Sequence, residues 1–374
     1  MKAKRVFRRA LLAVFVLTCI AGPMPLLAWA DDDSFIGPLK EIDTIASTVP
    51  GNGDVNPYGV AVFRRSIGNL VKGNILVSNF NNSNNLQGTG TTIVQISPKG
   101  TVSLFAQLDS PKLVEKCPGG IGLTTALVVL RSGWVIVGSL PTSDGTAATA
   151  KAGCLLVLNN EGYVVKTITG HKINGPWDMT AFEGDDWAAL FVTNVLNGTV
   201  AGGGNEVDKG TVVRIDLDVD EYEAPEVKSK TVIGSGFGER TDPAALVIGP
   251  TGLGLGRHGT LYVADTLANR IAAIPDALFR EDSAGTGKTI SIGGALNGPL
   301  GLAIAPNHNI LTVNAGDGNM VETTRGGDQV SVKLVDDTGI GAGTLFGLAV
   351  AHHHHKKGVY FVNDGDNTLR FLEH

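Results

Sequence analysis

Cysteine is scarce in this chain. Three occur in 374 residues, and one of them, Cys19, lies in an apolar segment near the start. The remaining pair, Cys117 and Cys154, is too small a set for a disulfide-scaffolded miniature fold or a four-cysteine zinc site. Aromatic residues are few at 6%, and charged residues make up only 18%. No stretch approaches the roughly 18 consecutive apolar residues of a membrane-spanning helix. There is no G-x-S-x-G elbow and no H-E-x-x-H helix, which removes the commonest serine-hydrolase and zincin signatures. The run Ala284-Gly-Thr-Gly-Lys-Thr289 imitates a phosphate loop, but Asp282 stands where the first Gly belongs and a strand follows rather than a helix N-terminus. Asp216-Leu-Asp-Val-Asp220 imitates a calcium loop, yet Glu221 replaces its obligatory Gly and Val227 its final Glu.

What is present begins with a targeting segment. Lys2, Lys4, Arg5, Arg8 and Arg9 precede the apolar run Ala10 to Ala21, and Ala28-Trp29-Ala30 offers a small-x-small cleavage site before Asp31. Residues 1–30 are therefore expected to be a signal peptide and 31–374 the mature domain, exported to the periplasm or beyond. Arg8-Arg9-Ala10-Leu11-Leu12 also fits a twin-arginine signal, so general secretory and twin-arginine export both stand. Thr18 before Cys19 is a poor lipobox residue. Without the five basic residues of the leader, 25 Lys and Arg face 36 Asp and Glu, a net charge of −11. Such a surface argues against nucleic acid or anionic lipid as partner.

Glycine is abundant, 50 residues, about twice the usual share of roughly 7%, as many tight turns require. A strand ending on a small polar residue recurs six times: Asn74 to Asn79, Trp134 to Ser139, Ala189 to Asn194, Thr260 to Asp265, Asn309 to Asn314 and Gly358 to Asn363. A small-residue apolar strand precedes each copy, from Tyr58-Gly-Val-Ala-Val62 to Phe346-Gly-Leu-Ala-Val350. Two further strands follow most copies. Six units of four strands predict an all-β fold, a six-bladed β-propeller, with Gly and Ala where six first strands converge on a central channel. The last copy has three strands, so the segment Leu39 to Ala46 is expected to complete that blade and remove an exposed edge.

The cleanest copy, Leu261-Tyr-Val-Ala-Asp265 followed by Asn269-Arg270-Ile271, resembles the signature of NHL-repeat propellers over nearly all the mature chain. The wider superfamily, with gluconolactonase-like and strictosidine-synthase-like members, holds hydrolases, lyases and binding modules, so the resemblance implies architecture more than activity.

If first strands start at an upper rim, second strands end there, which places Asn79, Ser139, Asn194, Asp265, Asn314 and Asn363 around one mouth, with Asp178 pointing toward it. Two readings follow. Side-chain oxygens after a strand cap the next turn, or they hold Ca²⁺ or another divalent cation. The gluconolactonase-like family resembles Pro250 to Asp265 and holds a metal with a Glu, Asn and Asp set. Asp265 matches; Thr251 stands where the Asn falls and Tyr58-Gly59 where the Glu falls, leaving Asp178 and Asn194 as substitutes. His171, near Asp178, is the candidate general base. His352 to His355 form an exposed turn at the opposite face. Cys117 and Cys154 both fall at the upper rim of the second blade, and an exported chain would pair them. Two functions fit: a non-catalytic exported propeller binding a small molecule or protein at its upper-rim loops, or a metal-assisted hydrolase or lactonase using Asp178, Asn194 and Asp265. Partner identity and oligomeric state are not in the pattern.

Overall fold

The computed structural model describes residues 34–108, 117, 119–353 and 356–374; the expected leader, residues 1–30, lies outside them. Alternating Val, Ile and Leu in short runs between Gly and Asn turns form strands, and the strands form six antiparallel sheets arranged as blades. From the inside outward, blade 1 is Val55–Val62, Ile75–Asn81, Thr92–Ile96 and Val102–Gln107, and blade 2 is Leu123–Val129, Val135–Ser139, Cys154–Leu158 and Val164–Ile168. Blade 3 is Pro176–Glu183, Trp187–Asn194, Val207–Asp218 and Glu226–Asp242, with a short fifth strand, Leu246–Ile248, on its outer edge. Blades 4 and 5 begin with Pro250–Leu255 and Pro299–Ile304. Blade 6 is Leu345–His353, Lys356–Asn363 and Thr368–Glu373, and Glu41–Ser47 completes it, with Ile42 opposite Leu372 and Asp43 opposite Phe371. The chain ahead of that strand is also tied down: Glu322 accepts from the amides of Phe35 and Ile36, both at 2.8 Å. As expected, both chain ends share one sheet, which leaves no long free edge there.

Blades pack face to face through the apolar residues of their second and third strands. Val77, Val137, Val192, Val263, Val313 and Val362 are fully buried, each contributing about 1.5–3 kcal/mol by removal from water.

Every inner strand slips register once against its neighbour, between Pro57 and Gly59, Leu123 and Leu127, Pro176 and Met179, Pro250 and Leu253, Pro299 and Leu302, and Leu345 and Leu348. These bulges bring adjacent inner strands almost into backbone contact. A Cβ on Gly301 would lie 1.9 Å from the Phe346 carbonyl oxygen, one on Gly347 2.2 Å from that of Tyr58, and one on Gly252 2.4 Å from that of Leu300. Glycine is required there by close approach. Blade 3 carries Asp178 at the matching position of its bulge.

Candidate functional site: the central channel

The hairpin turns between first and second strands lie on one face of the propeller, the hairpin face. The links between blades and the ends of the second strands lie on the other, the crossover face. A cavity of 1240 Å³ runs up the axis from the hairpin face, lined by residues of all six inner strands from Val60 in blade 1 to Val350 in blade 6. It is walled by Val, Leu, Ala, Met and Ile side chains, and its depth, from Glu183 to Asp178 along the blade 3 strand, is about 16 Å at roughly 3.3 Å per residue.

The crossover end is filled. Tyr58 stacks on Phe346 with ring centroids 3.9 Å apart, and on Phe80 and Trp177 at 4.5 and 5.8 Å. All four rings are buried. Trp177 Nε1 donates to the Val247 carbonyl at 3.1 Å. Leu246 and Val247, from the short fifth strand of blade 3, join this cluster together with Leu140, Val195 and Leu300. Gln87 Nε2 donates to the Pro243 carbonyl at 2.9 Å, tying that arm of blade 3 to blade 1. Leu246 adopts φ +63°, a left-handed conformation that costs a residue with a Cβ about 1–2 kcal/mol and that burial of its side chain offsets.

Asp178 lines the cavity at its blind end, below Trp177. Its Oδ1 accepts from the Met179 amide at 2.8 Å and its Oδ2 from the Leu253 amide at 3.0 Å, so it links blades 3 and 4 where glycine does so elsewhere. Burial among apolar walls raises its pKa to about 7, against the smaller opposing effect of those two amides.

The polar residues ending the second strands are caps. Three of them clasp the link leading into their own blade: Asn79 Nδ2 donates to Thr48 O at 3.1 Å, Asn314 Nδ2 to Ala295 O at 2.8 Å, and Asn363 Nδ2 to Asp336 Oδ1 at 2.8 Å. Ser139 Oγ accepts from the Gly122 amide at 3.0 Å. Asp265 is held by the Arg270 guanidinium at 2.8 Å, and Arg270 also donates to Thr289 and Thr286. Asn194 takes its place opposite Pro176 at the head of blade 3. One oxygen each of Asn79, Asn194, Asp265 and Asn314 is buried without a hydrogen-bond donor. These oxygens stand at the ends of the second strands of four different blades. Among the described residues no group of three or more His, Cys, Asp or Glu side chains is arranged to hold a metal. With Asp265 bonded to Arg270 through Oδ2, Asp178 engaged by two amides and Tyr58, Trp177 and Phe346 filling the mouth, Asp265 Oδ1 is the one carboxylate oxygen of this set left free, too little charge for a divalent cation.

His171 is solvent-exposed in the link into blade 3 and makes no hydrogen bond to Asp178. Of the histidine run, His352 is exposed at the channel mouth, but His353 is not part of an exposed turn: it is buried within the inner strand of blade 6, its Nδ1 2.7 Å from Tyr360 Oη. His354 and His355 lie outside the described residues. Cys117 and Cys154 are joined in a disulfide with Cα atoms 5.7 Å apart. Sequence reasoning passed over the hairpin-face rim, where Arg64, Lys72 and Lys357 stand exposed around the cavity. The available signal was the repeat itself, which assigns every first-to-second-strand turn to one face.

No family model and no curated protein sequence matches the chain. Among solved structures, a gluconolactonase from Xanthomonas campestris superposes with a TM-score of 0.55 at 12% identity, covering 90% of each chain. Regucalcin from Agrobacterium tumefaciens, described as a calcium-binding protein, gives 0.54 at 12% identity over 87% of this chain and 93% of its own. The aldose sugar dehydrogenase of Streptomyces coelicolor in its PQQ-bound form gives 0.51 at 14% identity over 90% and 98%. At these identities the likeness is one of fold, that of a six-bladed β-propeller.

Proposed function

We propose that this protein is an exported binding propeller whose small-molecule ligand enters the central channel from the hairpin face. The observation that carries this reading is the 1240 Å³ cavity, which draws on all six blades and ends blindly at Asp178. Enclosed, mostly apolar spaces of this order hold small ligands. The sequence pattern directed attention to the crossover mouth, and the aromatic filling there moves the proposed ligand to the opposite face. Export is supported by the leader sequence and by the disulfide, a bond that persists in oxidising compartments. Asp31 is the expected first residue of the mature protein.

The test is a fluorescence titration with the neutral dye N-phenyl-1-naphthylamine, comparing the native chain with Thr180→Trp, which places an indole in the channel wall. Saturable binding that the variant loses, at an unchanged melting temperature, supports the reading. Equal binding by both contradicts it.

The metal-assisted hydrolase reading rests on likeness of fold to a gluconolactonase and to calcium-binding regucalcin, while the donor set argues against it. Ca²⁺, Mg²⁺, Mn²⁺ and Zn²⁺ at millimolar concentration are expected to leave the melting temperature within about 1 °C, since only a ligand that binds the native state raises it. A rise of several degrees with one of them, abolished by Asp265→Asn or Asp178→Asn, would reinstate that reading.

A further inference from the structure

The mouth of the channel is divided in character. On its side formed by blades 6, 1 and 2 the cavity is lined by Arg64, Arg65, Lys72, Arg131 and Lys357. Arg65 is paired with Glu221 at 2.8 Å, and Arg131 is engaged by Glu183. Arg64, Lys72 and Lys357 are exposed and have no carboxylate partner among the described residues. The carboxylates lining the same cavity are Asp178, at the blind end, and Glu183, already bound to Arg131. Three free cations on one rim are not a by-product of a basic protein, because the mature chain carries a net charge of −11 by its 25 basic and 36 acidic residues.

The side formed by blades 3 and 4 has the opposite nature. Phe182 is 37% exposed at the channel edge and packs against Trp187 with centroids 5.2 Å apart. Phe182 and Leu255 are shared between the channel and a neighbouring recess of 530 Å³, whose apolar wall is Leu278 and the 76% exposed Phe279 and whose outer edge carries Arg257, His258 and Asp276. The channel therefore opens onto an apolar shelf on one side and a row of unpaired cations on the other. An exposed apolar patch continuous with a cavity marks a binding surface, and unpaired Lys and Arg at its edge select a negative group.

We propose that the ligand is an amphipathic organic anion: an apolar body filling the channel and shelf, and one terminal carboxylate or phosphate at Arg64, Lys72 and Lys357. This rests on the channel-binding reading and deepens it. Arg64 suits a bidentate contact with either oxyanion, while Lys72 and Lys357 add charge without fixed geometry. Asp178 faces the apolar end, where a charged or strongly polar tail is excluded by the Val, Leu and Met walls around it.

The test is isothermal titration calorimetry with four probes of one chain length, each below its micellar concentration: dodecanoate, dodecyl phosphate, dodecanol and dodecyltrimethylammonium. The expected result is that an anion binds at least about tenfold more tightly than the alcohol and the cation, tenfold being about 1.4 kcal/mol. Arg64→Glu with Lys357→Glu should remove that preference while the alcohol binds as before. Both positions are exposed, so folding is unaffected, and Phe182→Ser, which weakens all four probes, tests the shelf. Carboxylate over phosphate, or the reverse, identifies the head group. If the cation or the alcohol binds as well as the anions and Thr180→Trp still blocks it, the proposal is overturned and channel binding stands. If neither these probes nor the neutral dye bind, both fall.

Discussion

Three carboxyls are held near a pKa of about 7 by burial: Asp178, Glu239 and Asp364. Glu239 is the clearest. Its Oε1 accepts from the Asn197 amide at 2.7 Å and Thr199 Oγ1 at 2.9 Å, and its Oε2 is buried with no donor. A carboxyl raised in the folded state binds its proton more tightly there than in the unfolded chain, so stability is highest below the unfolded pKa near 4 and falls as pH rises to about 7. Ionising Glu239 in place costs about 3 kcal/mol at most. Glu239→Gln keeps the Oε1 bonds, so the melting temperature of the variant should exceed that of the native chain at pH 8 by several degrees and match it near pH 4; equal midpoints at both would contradict the assignment. Asp336 works in the other direction. Burial pushes it up, but hydrogen bonds from Thr338, Asn363 and Thr344 outweigh that and hold it well below the usual carboxylate range. Its contribution is lost only as pH falls below about 4. A maximum of stability near pH 4 follows, and a pH series of thermal melts locates it. Burial raises Asp265 more than the Arg270 guanidinium lowers it; Arg270→Met would leave that buried carboxylate unpaired and is expected to cost about 3–5 kcal/mol, measured by urea unfolding, with dye binding in the channel unchanged wherever the variant is folded.

Among elements, the bulged inner strand sets the limits. Gly301→Ala drives a methyl to 1.9 Å from the Phe346 carbonyl, and backbone on the opposing strand cannot yield as a side chain can; a loss of about 3 kcal/mol or more is expected. The same change at Gly203, with nothing within 4 Å of its Cβ, costs only the strain of its positive φ, about 1–2 kcal/mol; equal losses at the two sites would refute the close-approach account. The disulfide closes a loop of 37 residues, worth about 3–4 kcal/mol by loop entropy, and its reduction should lower the denaturation midpoint accordingly. The blades were legible because the second strand of each repeats Val and Leu before a polar residue, and at Asn79, Asn314 and Asn363 that residue bonds the link preceding its own blade rather than the next turn. The filled mouth was not legible. Tyr58, Trp177, Leu246 and Phe346 are far apart in the chain, and no local period announces that they meet. Asp178 reads in sequence as a candidate ligand pointing toward the upper mouth; only the register of Pro176 and Met179 against the second strand shows that it stands in a glycine position, facing the channel.

At the scale of the whole molecule, ring closure and channel direction are one construction. The strand Glu41–Ser47 completes blade 6, and Glu322 anchors the residues before it, so removing residues 34–47 should abolish cooperative unfolding rather than weaken it slightly. With the ring closed and one end filled by aromatic rings, the axis is a blind channel entered from the hairpin face. The most direct measurement is the anomalous bromine signal in crystals of the mature protein soaked with 12-bromododecanoate. The account predicts a peak inside the channel, between Met179 and Ile304, with the carboxylate at Arg64, Lys72 and Lys357. A peak over Leu246–Ile248 on the crossover face, or an empty channel in a saturated crystal, would contradict it.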